Sequence, residues 1–126
     1  MRIREFKTAV ENFRVGVPGL VGLFIFDRHR SLLLYGGSDD IASSLGEISF
    51  CYARLARSLE KANACRKDMG AIKRIDIVAK RMTVSASLIS DEHIVIGECV
   101  GQKGLGVLVH GIPFLGKIMR RFKDER

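Results

Sequence analysis

The run Leu20-Val-Gly-Leu-Phe-Ile-Phe26 is apolar without alternation apart from Gly22. A strand with one wet face would alternate, so this segment needs cover on both faces and belongs inside a sheet rather than at its edge. A short polar break, Asp27-Arg28-His29-Arg30, separates it from a second apolar run, Leu32 to Tyr35. That spacing predicts a hairpin, with Asp27 opening the turn through its side chain. The other elements must then supply further strands and two covering layers.

The chain before the hairpin places Ile3, Phe6, Val10 and Phe13 three and four apart within residues 2–14, with Ala9 alongside, which predicts an amphipathic helix ended by Gly16 and Pro18. After the hairpin, Gly36-Gly37 is read as breaking the strand, with Ser38, Asp39 and Asp40 as N-cap and acidic first turn of a long second helix. Its stripe is Ile41, Leu45, Ile48, Tyr52, Leu55, Leu59 and Ala62, recurring at steps of four and three. Phe50 falls opposite that stripe beside Ala53, Arg54, Arg57 and Lys61, a large aromatic on a basic surface that is either an isolated exposed side chain or one that a protein contact covers.

Three strands follow. Ile72 to Ala79 sets Ile75 and Ile77 on one side and Asp76 and Val78 on the other; Met82 to Leu88 alternates apolar residues with Thr83, Ser85 and Ser87, as a strand with one buried and one wetter face does; Ile94 to Val100 is mostly apolar and therefore central. In the last segment Leu105, Leu108, Ile112, Leu115 and Met119 predict a third helix, kinked or interrupted near Pro113, whose glycines let it lie close to a neighbour. The order is helix, two strands, helix, three strands, helix. At 126 residues, with no linker, the chain reads as a single domain over residues 1–126 that buries about two thirds of its unfolded surface.

The net charge is +7, and much of the excess lies at the ends, in Arg2, Arg4, Lys7 and Arg14 and in Lys117, Arg120, Arg121, Lys123 and Arg126. Brought together, these would form one face suited to an acidic partner, nucleic acid or an anionic membrane. No apolar stretch approaches the roughly 18 residues of a membrane span, which points to a cytoplasmic protein. Cys51, Cys65 and Cys99 lack metal-ligand spacing and are expected as buried free thiols.

Motifs for chemistry are weak. Gly111-Ile-Pro-Phe-Leu-Gly116-Lys117 matches a phosphate-loop pattern, but Ile118 stands where a magnesium-binding Ser or Thr is required and the segment reads as helical. Gly101, Gly104 and Gly106 have the wrong spacing for dinucleotide binding and serve a tight strand-to-helix connection. His29, His93 and His110 are isolated, and the acidic residues are placed mostly on helix surfaces and turns. No catalytic set, metal site or cofactor is implied, and no aromatic-lined basic strand face offers sequence-specific nucleic-acid readout.

Three features together resemble the roadblock / dynein light chain domain family: the first helix running through Gly16-Val-Pro-Gly19 into the strand Leu20 to Asp27; the hairpin leading to the long helix Ile41 to Ala62; and the meander ending at Leu105-Gly106-Val107-Leu108 before a last helix. The resemblance implies an α+β fold, similar in outline to longin and profilin. Its five-stranded antiparallel sheet would carry the long helix on one face and the two terminal helices on the other. It also implies a homodimer formed by third strands edge to edge and second helices side by side, with Ile75, Ile77, Glu47 and Cys51 at the interface. The implied role is a non-enzymatic regulator or scaffold of a small Ras-like GTPase, or of motor complexes in eukaryotic members, docking at Phe50, Arg54, Arg57 and Lys61. An alternative is a binding module that meets an anionic surface, lipid or nucleic acid, through the basic terminal helices.

Overall fold

The computed structural model describes residues 2–30, 32–38, 45–66, 68, 70 and 72–124, with the backbone alone at 38, 45–50, 123 and 124. Its elements are α1 (Ile3–Gly16), β1 (Leu20–Asp27), β2 (Leu33–Ser38), α2 (Leu45–Cys65), β3 (Arg74–Val78), β4 (Thr83–Leu88), β5 (His93–Cys99) and α3 (Gln102–Asp124). The strands form one antiparallel sheet in the order β2-β1-β5-β4-β3. β1 is thus flanked on both sides, as its unbroken apolar run requires.

Both faces of the sheet are covered. Leu23, Ile25, Val95 and Cys99 point into one core with Phe6 and Val10 of α1 and Leu108, Leu115 and Met119 of α3. Phe24, Phe26, Ile94, Ile96 and Ala86 point the other way, onto Ala56 and Leu59 of α2. Period-two alternation along β1 and β5 sorts their residues between the two cores. The α+β arrangement, one long helix on one face and the terminal helices on the other, is therefore the one expected from the sequence.

The hairpin turn is closed as Asp27 predicts. Its Oδ1 accepts the His29 and Arg30 N–H groups at 3.0 and 2.9 Å. Arg28 crosses from this turn to Glu60 on α2, while its own N–H donates to the Glu92 carbonyl at 2.7 Å.

Several expectations are corrected. Gly36 and Gly37 do not break β2; they pair with Phe24 and Leu23, and Gly37 leaves room for the Tyr35 hydroxyl, which a Cβ would approach to 2.5 Å. Of the cap and first turn expected at Ser38, Asp39 and Asp40, Ser38 is instead the last residue of β2, paired with Gly22, and Asp39, Asp40 and the first stripe residue, Ile41, lie outside the described residues. Ile3 is 62% exposed rather than core, because α1 buries Phe6, Val10 and the Arg14 side chain instead. β4 has no wet face: Ser85 and Ser87 are buried, opposite Gly97 and Val95 on the side of the sheet that carries the α1–α3 core. α3 runs without interruption through Pro113, which lies on the solvent side of the helix. Ala53 packs against the α2 core rather than standing at the surface. Of the cysteines, Cys99 alone is buried; Cys51 and Cys65 are exposed, because the side of α2 that meets the sheet is set by Tyr52, Leu55, Ala56 and Leu59.

Of the α3 glycines, Gly104, Gly111 and Gly116 lie against close neighbours while Gly106 faces open space, and Gly97 of β5 makes room for α3 from the sheet side. A Cβ at Gly97 would strike Leu108, one at Gly104 would stand 2.5 Å from the Pro18 carbonyl oxygen, and one at Gly111 would stand 2.5 Å from the Phe13 ring. Phe13 in turn stacks on Phe114 with centroids 6.0 Å apart, and Phe6 stacks on Phe122 at 4.3 Å. The rising numbers on α1 meet falling numbers on α3, so the two helices are antiparallel.

Burial of the Asp27 carboxyl opposes its ionisation, but the two backbone hydrogen bonds outweigh this and hold its pKa below the usual carboxylate range. A depressed folded-state pKa adds stability above the unfolded value and loses it as pH falls through the folded one. Asp27→Ala is therefore expected to cost about 1 kcal/mol at neutral pH, with the difference shrinking in acid, as read by urea unfolding at both pH values.

Candidate protein interface

α2 carries the residues that the sequence singled out. Its inward side is anchored to the sheet by Tyr52, whose hydroxyl donates to Glu98 Oε2 at 2.6 Å and whose ring meets Phe24 edge-on at 5.0 Å. Burial first, and then the Glu98 hydrogen bond, push the phenol pKa well above its ordinary value. Glu98 finds space because Gly22, opposite it on β1, has no side chain. Farther along α2, Asn63 clamps residue 72 by accepting its N–H and donating to its carbonyl at 3.1 Å. This fixes the approach to β3.

The outward side of α2 exposes Cys51, Arg54, Ser58, Lys61 and Cys65 at steps of three and four, with Arg57 beside them. Arg54, Arg57 and Lys61 are thus gathered on one solvent-facing surface. Phe50 and Glu47 lie on the preceding turns of the same helix, and their side chains are outside the described ones. Cys65, expected buried, extends this exposed stripe four residues beyond Lys61.

β3 is an edge strand, paired with β4 alone. Ile75 lies opposite Ala86 and packs against the α2 core, whereas Ile77, two residues on, is 46% exposed. Val78 is 79% exposed on the other face. The two isoleucines thus share a face but not a fate, and Val78 is the larger apolar liability of this edge. Arg74 and Asp76, also alternating, form an ion pair at 3.3 Å. The opposite edge, β2, offers fewer side chains because of Gly36 and Gly37, and its Tyr35 is bonded to Glu11 of α1.

Other concavities have structural explanations. A cleft of about 400 Å³ between the β4–β5 turn and α3 is lined in part by Ser90, Glu92, His93 and Arg120. Within it His93 Nδ1 lies 2.8 Å from Ser90 Oγ, which also accepts the Glu92 N–H at 3.1 Å, an arrangement that closes the turn. Among the described residues no group of three His, Cys, Asp or Glu side chains could hold a metal ion, and no helix is long and apolar enough to cross a membrane. Gly111 to Lys117 is helix rather than a phosphate-cradling loop.

The chain superposes on Myxococcus xanthus MglB with a TM-score of 0.78 at 7% identity, covering 100% of each chain. It superposes on the gliding protein MglB of Thermus thermophilus with a TM-score of 0.73 at 16% identity, over 96% of this chain and 93% of that one. A Roadblock/LC7 domain from Streptomyces avermitilis gives a TM-score of 0.70 at 15% identity, over 89% and 92%. The fold is that of the roadblock/LC7 domain. No family model matches the chain, and no curated protein matches it. At these identities the roadblock/LC7 likeness is one of architecture, so the roles of individual residues rest on the geometry above.

The Tyr52 anchor sets how α2 presents its outer stripe. Tyr52→Phe removes the donor to a buried carboxylate and is expected to cost about 1–3 kcal/mol in chemical denaturation. Ser85 is the opposite case: its buried hydroxyl has no hydrogen-bond partner among the described residues, so Ser85→Ala is expected to leave stability unchanged or raise it by about 1 kcal/mol.

Proposed function

We propose that the protein is a cytoplasmic, non-enzymatic regulator or scaffold, a single domain over residues 1–126 that forms a homodimer and binds a small Ras-like GTPase. The observation that carries this reading is the juxtaposition of an edge strand exposing Ile77 and Val78 with a neighbouring helix that exposes Arg54, Arg57 and Lys61. Fully burying an aliphatic side chain of this size contributes roughly 1.5–3 kcal/mol, and a two-fold contact counts each side chain twice. Pairing β3 with its copy would also satisfy its outer backbone groups.

In that dimer, Ile77 and Val78 line the strand contact, with Ile75 supporting it from the core side. Cys51, exposed on α2, and Glu47 one turn before it would belong to the helix-to-helix contact. Two α2 helices side by side would present Phe50, Arg54, Arg57 and Lys61 in duplicate. A partner with an acidic surface meets such a platform quickly at low salt and more slowly as salt screens the charges. The likeness in fold and the resemblance read from the sequence both support a GTPase as that partner.

The solution mass by light scattering tests the dimer. Wild type is expected at twice the protomer mass, and Ile77→Lys with Val78→Lys at one; these exposed positions avoid the core damage that a lysine at Ile75 would cause. A wild-type monomer at every concentration would remove the platform. For the partner, titration against a purified Ras-like GTPase loaded with GDP or a GTP analogue is expected to show binding that weakens about tenfold or more in Arg54→Glu, Arg57→Glu, Lys61→Glu. Binding indifferent to that triple variant would place the GTPase elsewhere.

A further inference from the structure

The opposite side of the molecule carries a second exposed surface that the GTPase reading does not use. From Gln102 to Lys123, α3 contains no Asp or Glu. Its exposed residues Lys103, Val107, His110, Phe114, Lys117 and Arg121 recur at steps of four, three, four, three and four, a single stripe turned away from the sheet. Over these residues it runs about 27 Å at the helical rise. Phe114 is 54% exposed in the middle of it, despite its stack on Phe13.

The antiparallel packing of α1 concentrates the charge further. The Phe6–Phe122 stack brings the first turns of α1, with exposed Arg2, Arg4 and Lys7, beside the last turns of α3, with exposed Lys117, Arg120 and Arg121. Of the acids of α1, exposed Glu5 offsets one of these charges, and Glu11 is engaged by Arg14 at 2.6 Å and by the Tyr35 hydroxyl. The two chain ends, distant in sequence, thus make one cationic field with apolar side chains set into it.

We propose that this α1–α3 face docks on an anionic lipid bilayer, with α3 lying in the headgroup plane. Phe114 and Val107 then insert among the headgroups, and Lys117, Arg120, Arg121 and Arg4 meet lipid phosphates and carboxylates. Charge complementarity alone would serve nucleic acid equally well. The exposed phenylalanine and valine within the cations favour a bilayer, since a sugar–phosphate backbone leaves an exposed valine without a use, whereas an interfacial helix buries both kinds of side chain. Docked in this way, the protein turns α2, on the far face of the sheet, toward the solvent side of the membrane.

The test is co-sedimentation of the intact protein with phosphatidylcholine vesicles, with and without phosphatidylserine. Binding is expected to the phosphatidylserine vesicles alone and to fall as salt rises. Lys117→Glu with Arg121→Glu, both at the surface, is expected to lower partitioning by about a hundredfold or more, because about four units of charge change against an anionic surface. Phe114→Ser should lower it at unchanged salt dependence, with its circular dichroism melting curve showing that the fold persists. Arg57→Glu on α2 should leave it unaltered. The proposal is overturned if phosphatidylserine vesicles are not bound, if the Lys117→Glu, Arg121→Glu protein binds like wild type, or if Arg57→Glu is equally damaging. It is also overturned if the double variant instead abolishes binding to a duplex oligonucleotide while vesicles are ignored.

Discussion

The double-sided burial of β1 and β5 is the constraint from which the rest of the architecture follows. Leu23, Phe24, Ile25 and Phe26 alternate between two cores, and every residue of β5 is buried. No single helical layer could satisfy strands that are apolar on both faces. The long α2 covers one side, the α1–α3 pair covers the other, and β2 and β3 are left to form the edges. What the protein can present to partners is whatever those two layers and two edges expose.

Small residues decide how closely the layers approach. Gly22 makes room for Glu98, which receives the Tyr52 hydroxyl and holds α2 in register over the sheet. Gly97, Gly104 and Gly111 let α3 descend onto β5, the α1–β1 connection and Phe13. On the other edge of this layer, Glu11 accepts from the Tyr35 hydroxyl and pairs with Arg14. These two neighbours, Arg14 first, hold its carboxyl below the usual range, while burial and then Glu11 raise the Tyr35 phenol to about 12. Side chains that look polar in the sequence are thus used to lock helices to strands.

The result is a molecule with two chemically different faces. α2 offers spaced cations next to an edge strand that ends in exposed aliphatic residues, a combination suited to a protein partner and to a second copy. The α1–α3 layer offers a longer, denser cationic stripe with an aromatic at its centre, on the far side of the sheet. The two surfaces lie on opposite faces of the sheet, so a contact at one would not obstruct a contact at the other.

Much of this was legible in the residues themselves. Apolar runs and their periods determine that there are five strands and three helices, in which order, and that β1 and β5 are central; they follow from local spacing, which the chain carries along its length. Arg54, Arg57 and Lys61 are grouped by the same helical arithmetic. Tertiary structure alone decided which apolar residues remain uncovered. Ile75 and Ile77 are equivalent in pattern, yet α2 covers only the first. Ile3 obeys the helix period yet stays exposed, and Ser85 and Ser87 look like a wet face yet are buried on the side that carries the α1–α3 core. Burial depends on what a distant segment brings into contact, and for the same physical reason the joining of the two basic chain ends into one surface required the antiparallel stacking of Phe6 on Phe122 and Phe13 on Phe114.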